Sequence, residues 1–173
     1  KLHPVVFAFP YFIFSVFSEE WGFSWGDFAA NAAGSGLFIG QELLWEEQRI
    51  SLKYSFNRTR FASQNPNKLG SGMLEELLKD YNGQTYWLSA NLHSFFKESK
   101  LPKWLNVAVG YGVNGLLYGE SNLQQLNFPN QKRSRQFYLS LDVDLTKIET
   151  KSEFLKQIFN VFNVVKVPFP TIE

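Results

Sequence analysis

The chain has 173 residues, 17 of them basic and 16 acidic, for a net charge of +1, and it contains no cysteine. The near-neutral balance gives no electrostatic footprint for nucleic acid, and the lack of cysteine excludes disulfides, thiolate metal sites and thiol nucleophiles. Its aromatic content, 18 Phe, 7 Tyr and 5 Trp, is more than an ordinary core needs and points to a large partner surface or a membrane-proximal setting.

By size this is a single domain, residues 1–173, with a helical part at 10–48, a strand-rich part at 50–148 and a C-terminal helix and tail at 151–173. Residues 4–17 are the most apolar run, with only Ser15 polar. The run is shorter than the ~20 residues a membrane-spanning helix needs, and Pro10 interrupts it, so no transmembrane helix is expected. Pro10 can open a short helix that Trp21-Gly22 breaks.

A long helix follows at 24–48, with Ser24 as its cap and Asp27 three residues on. Its first half carries small residues, among them Ala29, Ala30, Ala32, Ala33, Gly34 and Gly36. Glycine costs a solvated helix about 1 kcal/mol relative to alanine. Ala30, Gly34 and Gly36 are therefore expected to let another backbone pack closely. Asp27 and Asn31, four apart, share a helical face. They admit two readings: a polar pair that holds a ligand headgroup or a metal, or a helix cap beside an asparagine bonded to backbone. Spacing favours the second.

Beyond Gln48 the period becomes alternating. Ile50, Leu52, Tyr54 and Phe56 point one way, and Ser51, Lys53 and Ser55 the other. A loop at 64–67 and a short helix capped by Ser71 and stopped by Asn82-Gly83 come next. Three further strands set Tyr86, Leu88 and Ala90 against Trp87, Ser89, Asn91 and His93. They set Leu105, Val107, Val109, Tyr111 and Val113 against Asn106, Ala108, Gly110 and Gly112. They set Phe137, Leu139, Leu141 and Val143 against Tyr138, Ser140, Asp142 and Asp144. Strands without helical crossovers imply an antiparallel meander of about four strands. Four strands cannot close a membrane barrel, since single-chain barrels begin at about eight. Thr150-Lys151-Ser152-Glu153 reads as a capping box that opens a C-terminal helix. Its apolar stripe, Phe154, Ile158, Phe159 and Phe162, is wider than one sheet face would cover and is expected to meet a partner. Pro168 and Pro170 then keep the tail extended. The fold class is α+β.

No catalytic set emerges. His3 and His93 lack metal-ligand spacing, and no G-x-S-x-G elbow occurs. Asp142 and Asp144 share a strand face and could act as an acid/base pair, but an ordinary solvated face is the favoured reading. Lys132, Arg133 and Arg135 read as a solvated loop. No cofactor or metal is expected.

Four blocks carry a resemblance: WGFSWGDFAANAAGSGLFIGQELLW at 21–45, LKDYNGQTYWLSANLHSFF at 78–96, RQFYLSLDVDLTKI at 135–148 and VVKVPFPTIE at 164–173. Together they resemble the YfiM-like predicted periplasmic lipoproteins, in the longer form found in Bacteroidetes. The pattern Ser24, Asp27, Asn31, Gly34 is also similar to a VanZ-like membrane-protein motif. The family's acidic residues ahead of Trp-Gly have no counterpart here between Tyr11 and Ser18. The first resemblance implies a non-enzymatic periplasmic subunit at the inner face of the outer membrane. Its partner would be an outer-membrane β-barrel translocon of the type IX secretion kind, whose periplasmic mouth it plugs. The second implies, as the alternative, a cell-envelope enzyme or lipid-binding protein acting through Asp27 and Asn31.

Overall fold

A computed structural model describes residues 25–173, apart from the side chain of Asp27. The apolar run at 4–17, the helix expected from Pro10, the Ser24 cap and His3 lie outside the described residues. The chain falls into two compact units, Lys1–Arg49 and Ile50–Glu173. They part where the sequence period changes from helical to alternating.

In the first unit, α1 runs from Trp25 to Trp45. It ends at Glu46, whose backbone takes a left-handed conformation at φ 53°, the usual way an α-helix terminates. The following turn folds back on the helix. Gln48 donates to the Phe38 carbonyl at 3.1 Å, and the Arg49 amide donates to Gln41 Oε1 at 2.9 Å. The Arg49 guanidinium stacks 4.8 Å from the Trp45 ring centre.

The second unit contains, in chain order, β1 (Ile50–Phe56), a 3-10 turn (Ala62–Gln64), α2 (Pro66–Leu69), α3 (Met73–Lys79), β2 (Gln84–Asn91), α4 (Leu92–Phe95), β3 (Leu105–Asn114), α5 (Ser121–Asn127), β4 (Ser134–Val143), a second 3-10 turn (Leu145–Lys147), α6 (Glu153–Phe162) and β5 (Thr171–Ile172). The strands form one antiparallel sheet in sequence order. The α+β class and the C-terminal helix are as expected; the strands number five, because the extended tail adds β5 to the edge of β4.

The sheet curls strongly. Lys53 on β1 reaches Asp142 on β4 at 2.8 Å, although two strands separate them in the sheet. Just before β5, the tail lies along the outer edge of β1, with the Tyr54 amide donating to Val164 and the Lys166 amide donating to Tyr54. One short C-terminal segment therefore touches both edges of the sheet. At one end, the connections 57–83 and 115–133 pack together through Phe61, Ala62, Leu69 and Leu117. Side-chain amides fasten them. Asn65 donates to the Leu117 carbonyl, Asn82 both donates to and accepts from Leu116, and Gln124 does the same for Gly115 and Leu117.

Two local expectations change. His93 falls in α4, where the chain has already left β2. The helix α3 starts at Met73 after Gly72, and Ser71 acts in reverse: its amide and hydroxyl bond to Glu75 Oε2 at 2.9 and 3.3 Å.

Candidate functional site

The alternation read from the sequence is correct in parity and inverted in burial. Residues expected on the solvated face are the buried ones: Lys53, Trp87, Ser89, Asn91, Asn106, Ala108, Ser140, Asp142 and Asp144. Those expected to form the core are exposed or half-exposed. Asp142 and Asp144, read as belonging to an ordinary solvated face, are therefore corrected to interior residues.

The interior is a connected polar network. Asp142 accepts from Lys53 at 2.8 Å and from the Ser89 hydroxyl at 2.6 Å, and Asp142 and Lys53 side chains are both fully buried. Ser89 accepts from Asn106, Asn106 accepts from Asn91, and Asn91 donates to the Lys103 carbonyl. Asn91 also caps α4 by accepting from the Ser94 amide. Lys166 donates to Ser140 Oγ and to the carbonyls of Leu141 and Val167, and stands 4.8 Å from the Trp87 ring centre. Trp87 donates to Ser55 Oγ. Its ring lies on Gly110, where an added Cβ would come within 2.7 Å, so only glycine fits there. A buried charge is tolerable when paired and hydrogen-bonded. Lys53 and Asp142 meet that condition, whereas Lys166 is held by neutral oxygens and the Trp87 ring, and burial lowers its pKa from the ordinary lysine value. Being fully buried, Ser89 and Asp142 offer nothing to a substrate. The network holds the curl of the sheet.

The outer face is the complementary surface. Strand register arranges it in rows. Leu52, Leu88, Val109, Leu139 and Ile172 are cross-strand neighbours in one row. All five are exposed, by 49–72%. Tyr54, Tyr86, Tyr111 and Phe137 make the next row, on the side of the packed connections, with ring pairs at 5.7 and 5.5 Å. Ile50, Ala90, Val107 and Leu141 form the row on the other side. Across these three rows no side chain is charged. At the far end, in 92–104, Phe95, Phe96 and Trp104 are exposed beside exposed Lys97, Lys100 and Lys103.

The predicted site residues are dispersed. Asp27 and Asn31 both lie on α1, and Asn31 is exposed, as is Ala30. A Cβ built at Gly34 or Gly36 meets nothing within 4 Å. The close packing expected around Ala30, Gly34 and Gly36 is therefore not found among the described residues. On α6, Phe154 and Phe162 are exposed, whereas Ile158 and Phe159 are half-buried. Phe159 lines a hollow with Leu145, Thr146, Ile148, Lys156 and Asn160. The expected partner stripe is thus split, half of it turned toward the second 3-10 turn.

Some of the charges outside the sheet are paired. The Arg58 guanidinium forks onto Glu76 at 2.6 and 2.7 Å and, chiefly through these hydrogen bonds, holds that carboxyl below its ordinary range. A hydrogen bond from Lys103 does the same for Glu149. Arg133 is no free member of a basic cluster, since it donates to Gln124 and to the carbonyls of Tyr118 and Glu120.

One signal in the sequence could have revealed the inversion. A solvated strand face is rich in lysine and glutamate, yet this polar face holds Trp87, Ala108, Gly110, Gly112 and Tyr138, with Lys53 balanced against Asp142. Among the described residues no helix is long and apolar enough to cross a membrane. No family model, curated protein or solved structure matches the chain.

Proposed function

We propose that this protein is a non-enzymatic subunit of the bacterial outer membrane that binds a large β-barrel translocon, of the type IX secretion kind, and closes its periplasmic mouth. The observation that carries the reading is the inverted sheet: a rigid, hydrogen-bonded polar interior beneath an uncharged apolar exterior that needs an apolar cover. Exposed apolar area on this scale marks an interaction surface in a native protein. The resemblance of the blocks at 21–45, 78–96, 135–148 and 164–173 to periplasmic lipoproteins supplies the compartment and the partner.

The mechanism is steric. A domain whose shape is fixed by a buried network obstructs a pore without deforming, and opening requires it to be displaced. The test is affinity purification of the tagged full-length protein from detergent-solubilised envelopes, followed by identification of what accompanies it. Recovery of a large outer-membrane barrel in stoichiometric amount is expected. A purified protein that carries no barrel sinks the reading.

A further inference from the structure

We infer that the outer face of the sheet takes bilayer hydrocarbon, so that β2 and β3 stand in the outer membrane as a lipid-facing wall. The inference rests on the outer-membrane reading above and assigns the apolar face to lipid, which leaves the outer edges of the sheet, rather than this face, for the translocon.

Four features select lipid over a protein cover. The first is layering along the strands. Aliphatic rows through Leu88 and Val109 and through Ala90 and Val107 occupy the middle. The row Tyr54, Tyr86, Tyr111, Phe137 bounds them on one side, and Phe95, Phe96 and Trp104 lie at the other end. Aromatic girdles around an aliphatic band are the pattern of membrane barrels. A protein interface concentrates its aromatics at the centre.

Charge is the second feature. The band between the aromatic ends carries none, while Lys97 and Lys100 are exposed at the end that holds Phe96 and Trp104, together with Glu98 and with Lys103, which is paired to Glu149. Lysines beside aromatics at the edge of an apolar band suit the phosphate level of a bilayer. The third is length. From Leu105 to Tyr111, between the aromatic ends, the outward-facing residues of β3 extend about 20 Å at ~3.4 Å per residue. At a tilt of ~45° this covers about 14 Å of depth, just over half of the ~25 Å apolar band of an outer-membrane barrel. The fourth is the interior: polar side chains sit on the inward face and are bonded to one another. Apolar-out and polar-in alternation is what a lipid-facing sheet requires.

Hydrocarbon does not tolerate open strand edges. Lipid contact is accordingly assigned to β2 and β3, which are hydrogen-bonded on both sides. The outer edges of β1 and β4 are tied only locally, at Tyr54 and at Leu139–Ser140, and are where protein continues the wall.

The chain is free of cysteine, so single cysteines can be placed at Leu88 and Val109, with controls at Ala108 in the interior and Lys100 in the loop. Each variant is labelled with an environment-sensitive fluorophore, the interior position after unfolding. Each is then reconstituted into phosphatidylethanolamine/phosphatidylglycerol vesicles with and without lipids bearing a nitroxide on the acyl chain. The expected result is severalfold stronger quenching by the acyl-chain nitroxide at Leu88 and Val109 than at Lys100, with aqueous iodide showing the reverse order. Three results overturn the inference. One is iodide reaching Leu88 and Val109 in vesicles. Another is equal shielding of the two positions without lipid, which means protein covers them. The third is equal lipid quenching at all labelled positions. Barrel recovery and acyl-chain quenching are separate readouts, so a failed translocon assignment leaves quenching intact, and failed quenching leaves co-purification intact.

Discussion

The deepest test of the inverted interior is removal of Asp142. Its carboxylate neutralises Lys53 across the curled sheet and accepts the Ser89 hydroxyl, and both charged side chains are fully buried. Asp142→Ala leaves an ammonium inside the sheet with the Val143 carbonyl at 2.6 Å as its remaining acceptor. Breaking one side of a buried ion pair costs about 3–5 kcal/mol, a large share of the ~5–15 kcal/mol that holds a typical domain together. Urea unfolding in mild detergent, followed by far-UV circular dichroism, reads the loss as a lower midpoint. The paired replacement Lys53→Met with Asp142→Leu removes both charges and is expected to recover most of the loss, because the desolvation cost disappears with the attraction. The exposed pair Lys103–Glu149, 2.8 Å apart, serves as the control, and Glu149→Ala should leave the midpoint unchanged. If Asp142→Ala costs less than about 1 kcal/mol, as solvated pairs do, water reaches the pair and the reasoning about a dry polar interior is wrong.

Three further outcomes follow from the geometry. Gly110→Ala pushes a methyl into the Trp87 ring. It should lower stability by about 1–3 kcal/mol, the range for overpacking, and shift tryptophan emission. Glu76 is held below its ordinary range, first by the hydrogen bond from Arg58. Its contribution is thus fully present above the ordinary glutamate range and is lost as pH falls through its lowered value. Arg58→Met should flatten that acidic part of the urea-midpoint profile, and an unchanged profile would refute the coupling. Gln124→Ala removes the amide that bonds Gly115, Leu117 and Arg133. Hydrogen exchange should then speed up at the Leu117 amide while β3 stays protected.

Most of the fold was legible because it rests on local rules. The period-2 runs located four strands, and the capping box at 150–153 placed the C-terminal helix, although the cap is Ser152, which accepts from the Leu155 amide, and Thr150 accepts from the Ser152 amide instead. The fifth strand was not legible, since the two residues of β5 gain strand geometry only by pairing with Leu139 and Ser140. Burial failed for a different reason. Alternation says which residues share a face, and the choice of face was then made by assuming water outside. Lys53 and Asp142 look solvated when read singly, and they become interior residues only when the curl of the sheet brings them together from positions 53 and 142. Of the aromatic excess that suggested a partner surface or a membrane-proximal setting, Tyr86, Tyr111 and Phe137 are exposed on the sheet. The stripe chosen for that surface on α6 is only half available, because Ile158 and Phe159 are half-buried.

The central claim, that the sheet is turned apolar-out, is tested most directly by comparing two adjacent residues. Val109 and Ala108 sit side by side on β3 with opposite faces, the first 54% exposed and the second fully buried. Single cysteines at these positions, challenged in the folded protein freed of lipid with a small maleimide, should behave oppositely. Rapid modification is expected at Val109→Cys and none at Ala108→Cys until urea is added. Protection at Val109→Cys with free reaction at Ala108→Cys would contradict it, since that is the behaviour of an ordinary sheet with an apolar core.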